Sequence, residues 1–138
     1  MEHGLDARTI LLIAVFLFLV GMSAWHRHRL VMAMREVPDA VRERLDWEAP
    51  EDLRAVRRHR RRISRRLVLR GLPDWVPLSA EGREHLRWHR LSALAAVVWL
   101  IVGPAAVWGA WMLIVLLGGP AVAIVAFHAW LDGPWDRA

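Results

Sequence analysis

The sequence predicts an all-α integral membrane protein with three transmembrane helices. These are a single N-terminal span and a C-terminal helical hairpin, joined by a cytoplasmic segment that carries a basic amphipathic helix. Three observations lead there. Leu91–Leu131 contains no Asp, Glu, Lys or Arg, a run about two spans long at roughly 20 apolar residues per spanning helix. Thr9–Trp25 is likewise uncharged and apolar. Finally, all 19 basic residues are arginine, and only Arg8 and Arg137 fall outside residues 26–90.

Residues 1–8 form a short external N-terminus and 9–25 the first span. Gly21-Met22-Ser23 offers small residues suited to signal cleavage. Against that, Glu2 and Asp6 precede the apolar run, and His26-Arg27-His28-Arg29 follows it at once. A leader begins with a positive region, and a basic cluster resists translocation, so an uncleaved anchor is expected. Arginine placement then puts 26–90 in the cytoplasm and the N-terminus outside.

Residues 26–90 divide by charge. From 26 to 50, five arginines balance five acids; from 51 to 90, twelve arginines face five acids. The first helix is expected to continue through Leu30, Val31 and Met34 until Pro38, with a short helix over 39–47. A helix over about 51–70 follows: Pro50 suits its first position, Glu51 and Asp52 its dipole, and Gly71 the position after its end. Leu53, Val56, Ile63 and Leu67 make an apolar stripe, interrupted by Arg60. Arg54, Arg57, Arg58, Arg61, Arg62, Arg65 and Arg66 occupy the other faces. Such a helix suits anionic lipid, with the stripe in the acyl boundary, or an anionic protein partner. Nucleic acid is not the expected partner, since no base-stacking aromatics are interleaved with the arginines. Ser79 is placed to cap the next helix. A segment this small and charged is not expected to bury a core of its own.

The second span is placed at 88–108 and the third at 111–131, with 132–138 a cytoplasmic C-terminus. Tryptophan favours the membrane interface, and Trp88 to Trp108 and Trp111 to Trp130 each measure about 30 Å of helix, one hydrocarbon thickness. Gly103-Pro104 is the competing turn. A break at Gly118–Pro120 would leave the last helix too short to cross.

The spans carry no acidic or basic group at depth, which argues against a pump or transporter. No nucleophile elbow or phosphate-binding glycine loop is present, and the absence of cysteine removes thiolate chemistry, so no enzyme is expected. Candidate cofactor ligands are His128, inside an apolar stretch, and His85 and His89, four apart on one helix face. No cofactor is predicted; haem or bacteriochlorophyll is the group such residues would hold if they bound one, and the neighbouring arginines disfavour a bare cation. His26, His28, His85, His89 and His128 all fall near one interface in this topology. Small residues recur four apart at Ser92 and Ala96, Ala105 and Gly109, Ala106 and Ala110, and Gly119 and Ala123; such pairs let helices approach closely in lipid. The leading expectation is a non-catalytic accessory, scaffold or assembly subunit of a larger inner-membrane complex. The first alternative is a haem- or pigment-binding subunit, and the second a membrane-tethered binder of an anionic partner through residues 51–70.

Overall fold

Asp6 opens the first helix, its carboxylate accepting from the Arg8 backbone N–H at 3.4 Å. This helix, α1, covers Ala7–Met34 of a computed structural model that describes residues 6–109, 111–132 and 135. Ala110 and most of the terminal segments 1–8 and 132–138 lie outside the described residues. Four more helices follow: α2 (Asp39–Arg44), α3 (Leu53–Arg70), α4 (Ala80–Trp108) and α5 (Met112–Asp132). The described residues contain no strand. Helices α1, α4 and α5 are each long and apolar enough to cross a membrane.

The helix ends follow from local chemistry. Leu53 opens α3 because the Asp52 side chain accepts from the Arg54 N–H at 3.2 Å. Pro50 and Glu51 therefore precede the helix, two residues away from the boundary read in the sequence. Gly71 closes α3 with φ of 71°, a backbone region favourable only to glycine. Ser79 caps α4, accepting from the Gly82 N–H at 3.1 Å. The hairpin break comes at Gly109, left-handed at φ 66°, while Pro104 and Pro120 lie inside α4 and α5.

α1 and α4 pack antiparallel. Leu12 meets Trp99 and Gly103, Ser23 meets His89, His26 meets His85, and Ala33 meets Gly82. The Trp99 indole N–H donates to the Leu12 carbonyl at 2.9 Å, so the one polar atom of that ring is satisfied inside an apolar interface. Helix α5 folds back along α4 and reaches α3 at its far end, where Arg70 donates to the Ala129 carbonyl at 2.8 Å.

With 28 and 29 residues, α1 and α4 exceed the roughly 20 residues a span needs. Their surplus ends join the segment between them in a hydrophobic core. Leu30 and Met34 of α1, Leu45 just after α2, Ile63 and Leu67 of α3, Val76 of the loop before α4 and Leu86 of α4 are buried together there. The expectation that residues 26–90 could not bury a core is thus corrected. Every residue of this core except Trp135 lies within 26–90: the ends of the two long helices supply Leu30, Met34 and Leu86, and the stretch between them supplies the rest.

The stripe on α3 is corrected with it. Ile63 and Leu67 are packed into this core rather than left free for an acyl boundary, and Leu53 stands outside it, 81% exposed. Arg66, three residues from Ile63 and next to Leu67, falls on the buried face too. Its guanidinium lies over the Trp135 ring, 5.4 Å from the centroid, and the Trp135 indole N–H donates to the Gly71 carbonyl at 2.7 Å. A guanidinium tolerates burial when an aromatic face supplies part of its lost solvation.

Candidate functional site

Two polar clusters form where α1 and α4 leave their apolar stretches. The first joins the two helices through imidazoles. His26 Nδ1 lies 2.9 Å from His85 Nδ1, so one of the two nitrogens donates and the other accepts. His85 Nε2 also reaches Glu81 at 3.4 Å, and the His26 ring stacks on Trp88. One turn deeper, His89 Nδ1 lies 3.0 Å from the Ser23 carbonyl and 2.9 Å from the Ser23 hydroxyl. His89 is 4% exposed, and its Nε2 is buried without a hydrogen-bond partner among the described residues.

This arrangement ties α1 to α4 and sets their register. His85 and His89 share a helix face but engage different partners, His26 and Ser23. His128 is half-buried on α5, its ring tilted against Phe127. Among the described residues, no three His, Asp or Glu side chains converge to hold a metal.

The second cluster lies between α1 and α3. A cleft of about 510 Å³ is lined by Arg27, Arg57, Arg60, Arg61, Ser64 and Arg65. On α3 these residues recur three and four apart, hence on one face, and Arg27 faces them from α1. An adjoining cavity of about 540 Å³ shares Arg27 and Arg60 but is otherwise largely apolar, with Ala24, Val31, Val56 and Ile63 in its walls. Trp47 and His59 close one side. Arg62 N–H points to His59 Nδ1 at 3.4 Å, which leaves His59 Nε2–H to donate to the Trp47 carbonyl at 3.2 Å.

No acidic side chain lines either space. Among the described residues, Arg27, Arg57, Arg60 and Arg61 have neither an ion pair nor a hydrogen bond through their side chains. Asp46 and Glu48 lie in the neighbouring groove with Arg58 and Arg62, and Asp46 pairs with Arg62.

The seven arginines expected to act as one surface are therefore divided. Arg57 lines the cleft only; Arg61 and Arg65 stand on the ridge between the cleft and the groove that holds Asp46 and Glu48, lining both; Arg58 and Arg62 line that groove; Arg54 is exposed outside both; Arg66 is buried under Trp135. Sequence reasoning missed Arg27 and Arg60. Arg60 read as an interruption of the apolar stripe, although its spacing to Arg57 and Ser64 already placed it on a second row.

The small residues divide in the same way. Ser92, Ala96 and Ala105 are buried, Ser92 donating to the Trp88 carbonyl at 2.7 Å. Ala106, Gly109, Gly119 and Ala123 are exposed. No protein family, characterised protein or solved structure matches the chain.

Proposed function

We propose that this chain is a non-catalytic accessory or assembly subunit of a larger inner-membrane complex. In this reading α1, α4 and α5 span the bilayer and the arginine-rich module stands on the cytoplasmic face, with α3 as its basic amphipathic helix. The observation that carries the reading is the state of α5, in which no residue from Met112 to Leu131 is buried. Val115, Val122 and Trp130 are each at least 70% exposed. A third span held this lightly offers a face to other membrane helices, and exposed Gly119 and Ala123 allow their close approach. The spans also hold no charge with which a lone chain could move an ion.

Mild-detergent extraction of native membranes tests this. The protein is expected to migrate well above its 15.9 kDa mass together with a different membrane chain. Gly119→Leu and Ala106→Leu should release that chain, because a Cβ at Gly119 meets nothing within 4 Å inside the monomer and Ala106 is exposed. A monomer that is stable alone and indifferent to both substitutions contradicts the proposal.

A further inference from the structure

We propose that the cleft between α1 and α3 binds the phosphate of an anionic glycerophospholipid from the inner leaflet, with its glycerol and first methylenes in the adjoining apolar cavity. The inference takes its membrane depth from the topology proposed above and is independent of any partner subunit.

The charge comes first. Arg27, Arg57, Arg60 and Arg61 converge on one space with no carboxylate in its lining. Like charges gathered in this way raise the energy of the folded module unless an anion enters. Elsewhere on the same segment Arg62 has Asp46, Arg42 has Asp39 and Glu48, and Arg83 has Asp74 and the Val76 carbonyl, whereas Arg35, Arg54, Arg58 and Arg87 stand singly exposed to solvent. What sets the cleft apart is that four arginines without an ion pair among the described residues share one space. Guanidinium groups bind phosphate oxygens in parallel pairs, and the Ser64 hydroxyl adds a donor among them.

The second argument concerns which phosphate. The cleft continues into a cavity that shares Arg27 and Arg60 and carries the apolar walls Ala24, Val31, Val56 and Ile63. A free phosphate or nucleotide phosphate has no use for those walls, whereas a phospholipid presents charge and hydrocarbon side by side. Position agrees. Arg27 lies two residues beyond Trp25, where the apolar run of α1 ends. Tryptophan marks the headgroup level, so the cleft opens where lipid phosphates lie. Base stacking, which a nucleic acid would need, has no ring in the cleft itself.

The test uses the full chain in an uncharged detergent, titrated with fluorescently tagged phosphatidylglycerol or tagged phosphatidylcholine. The expected result is saturable binding of phosphatidylglycerol alone. Arg27→Ala with Arg60→Ala should weaken it about tenfold or more, as expected for two lost charge-assisted contacts. Arg54→Ala removes the same kind of charge outside the cleft and should weaken it less than about twofold, a typical screened surface effect. Arg57→Ala, an exposed substitution that touches no core contact, repeats the cleft test if the double variant loses helix by circular dichroism.

Three outcomes overturn the proposal. Equal losses for Arg54→Ala and the cleft variants would mean diffuse attraction. Equal binding of phosphatidylcholine would mean detergent-like uptake. Complete displacement by millimolar inorganic phosphate or ATP would mean a soluble phosphate ligand. Flotation of the same protein with liposomes reports insertion separately, so failure of the topology and failure of the lipid site are told apart.

Discussion

Leu67→Asp should open the arginine-rich module while leaving the three long helices intact. Leu67 is 1% exposed, in a cluster with Leu30, Met34 and Leu45. A carboxylate there is buried among apolar side chains, and the buried arginine of that core, Arg66, is already held over Trp135; burying a charge without a partner costs several kcal/mol, as much as or more than the about 2–5 kcal/mol of a leucine-to-alanine cavity. Trypsin reads the effect directly, because every basic residue of the chain is arginine and most lie in this module. When opening is fast compared with cleavage, the cutting rate follows the open population. A loss of about 3 kcal/mol then raises cleavage within Arg54–Arg70 roughly 100-fold. Leu53→Asp, at a position 81% exposed, should change the rate less than about twofold. Similar rates for the two variants would mean that the apolar residues of α3 face outward as one stripe, as its periodicity alone implies.

Gly103→Leu should separate α1 from α4. A Cβ at Gly103 would stand 3.3 Å from Leu12 Cδ1 and 3.4 Å from Trp99 Cε2, so even one methyl group forces both to give. A full leucine cannot fit without moving the helix that carries Leu12, whose carbonyl holds the Trp99 indole. In lipid no hydrophobic force holds two apolar helices together, and close packing with a few hydrogen bonds is the main attraction. Overpacking costs about 1–3 kcal/mol or more, a large part of what binds this pair. Thermal unfolding in detergent, followed by circular dichroism, should shift down by several degrees or lose cooperativity. Gly119→Leu should leave the isolated chain unchanged, since nothing lies within 4 Å of that position. An unshifted transition for Gly103→Leu would mean that α1 and α4 are not in contact at this level.

The helices were legible in the sequence because their causes are local. Apolar run length marks α1, α4 and α5, Ser79 and Gly71 mark ends, and the Trp88–Trp108 spacing points to the break near Gly109. Tertiary partnership was not legible. Nothing in the periodicity of α3 says whether Ile63 and Leu67 face lipid or Met34, because both environments are apolar. Arg66 looked like an outer-face residue, since its burial depends on Trp135, 69 positions later in the chain. The cleft was hidden for the same reason. Arg27 and Arg60 are far apart in sequence and meet only because α1 extends past its apolar stretch. His85 and His89 looked like a ligand pair from spacing, but α1 supplies a separate partner to each, His26 and Ser23.

The lipid site and the partner face both depend on one arrangement, in which three helices cross the bilayer and the His26–Arg90 module stands on its cytoplasmic side. The chain has no cysteine, so single substitutions report position cleanly. Glu51→Cys lies beside α3 and Trp111→Cys at the hairpin break, both exposed. In intact cells treated with a membrane-impermeant thiol reagent, Trp111→Cys should be labelled and Glu51→Cys should be labelled only after permeabilisation. Labelling of Glu51→Cys in intact cells, or protection of Trp111→Cys there, would contradict the account.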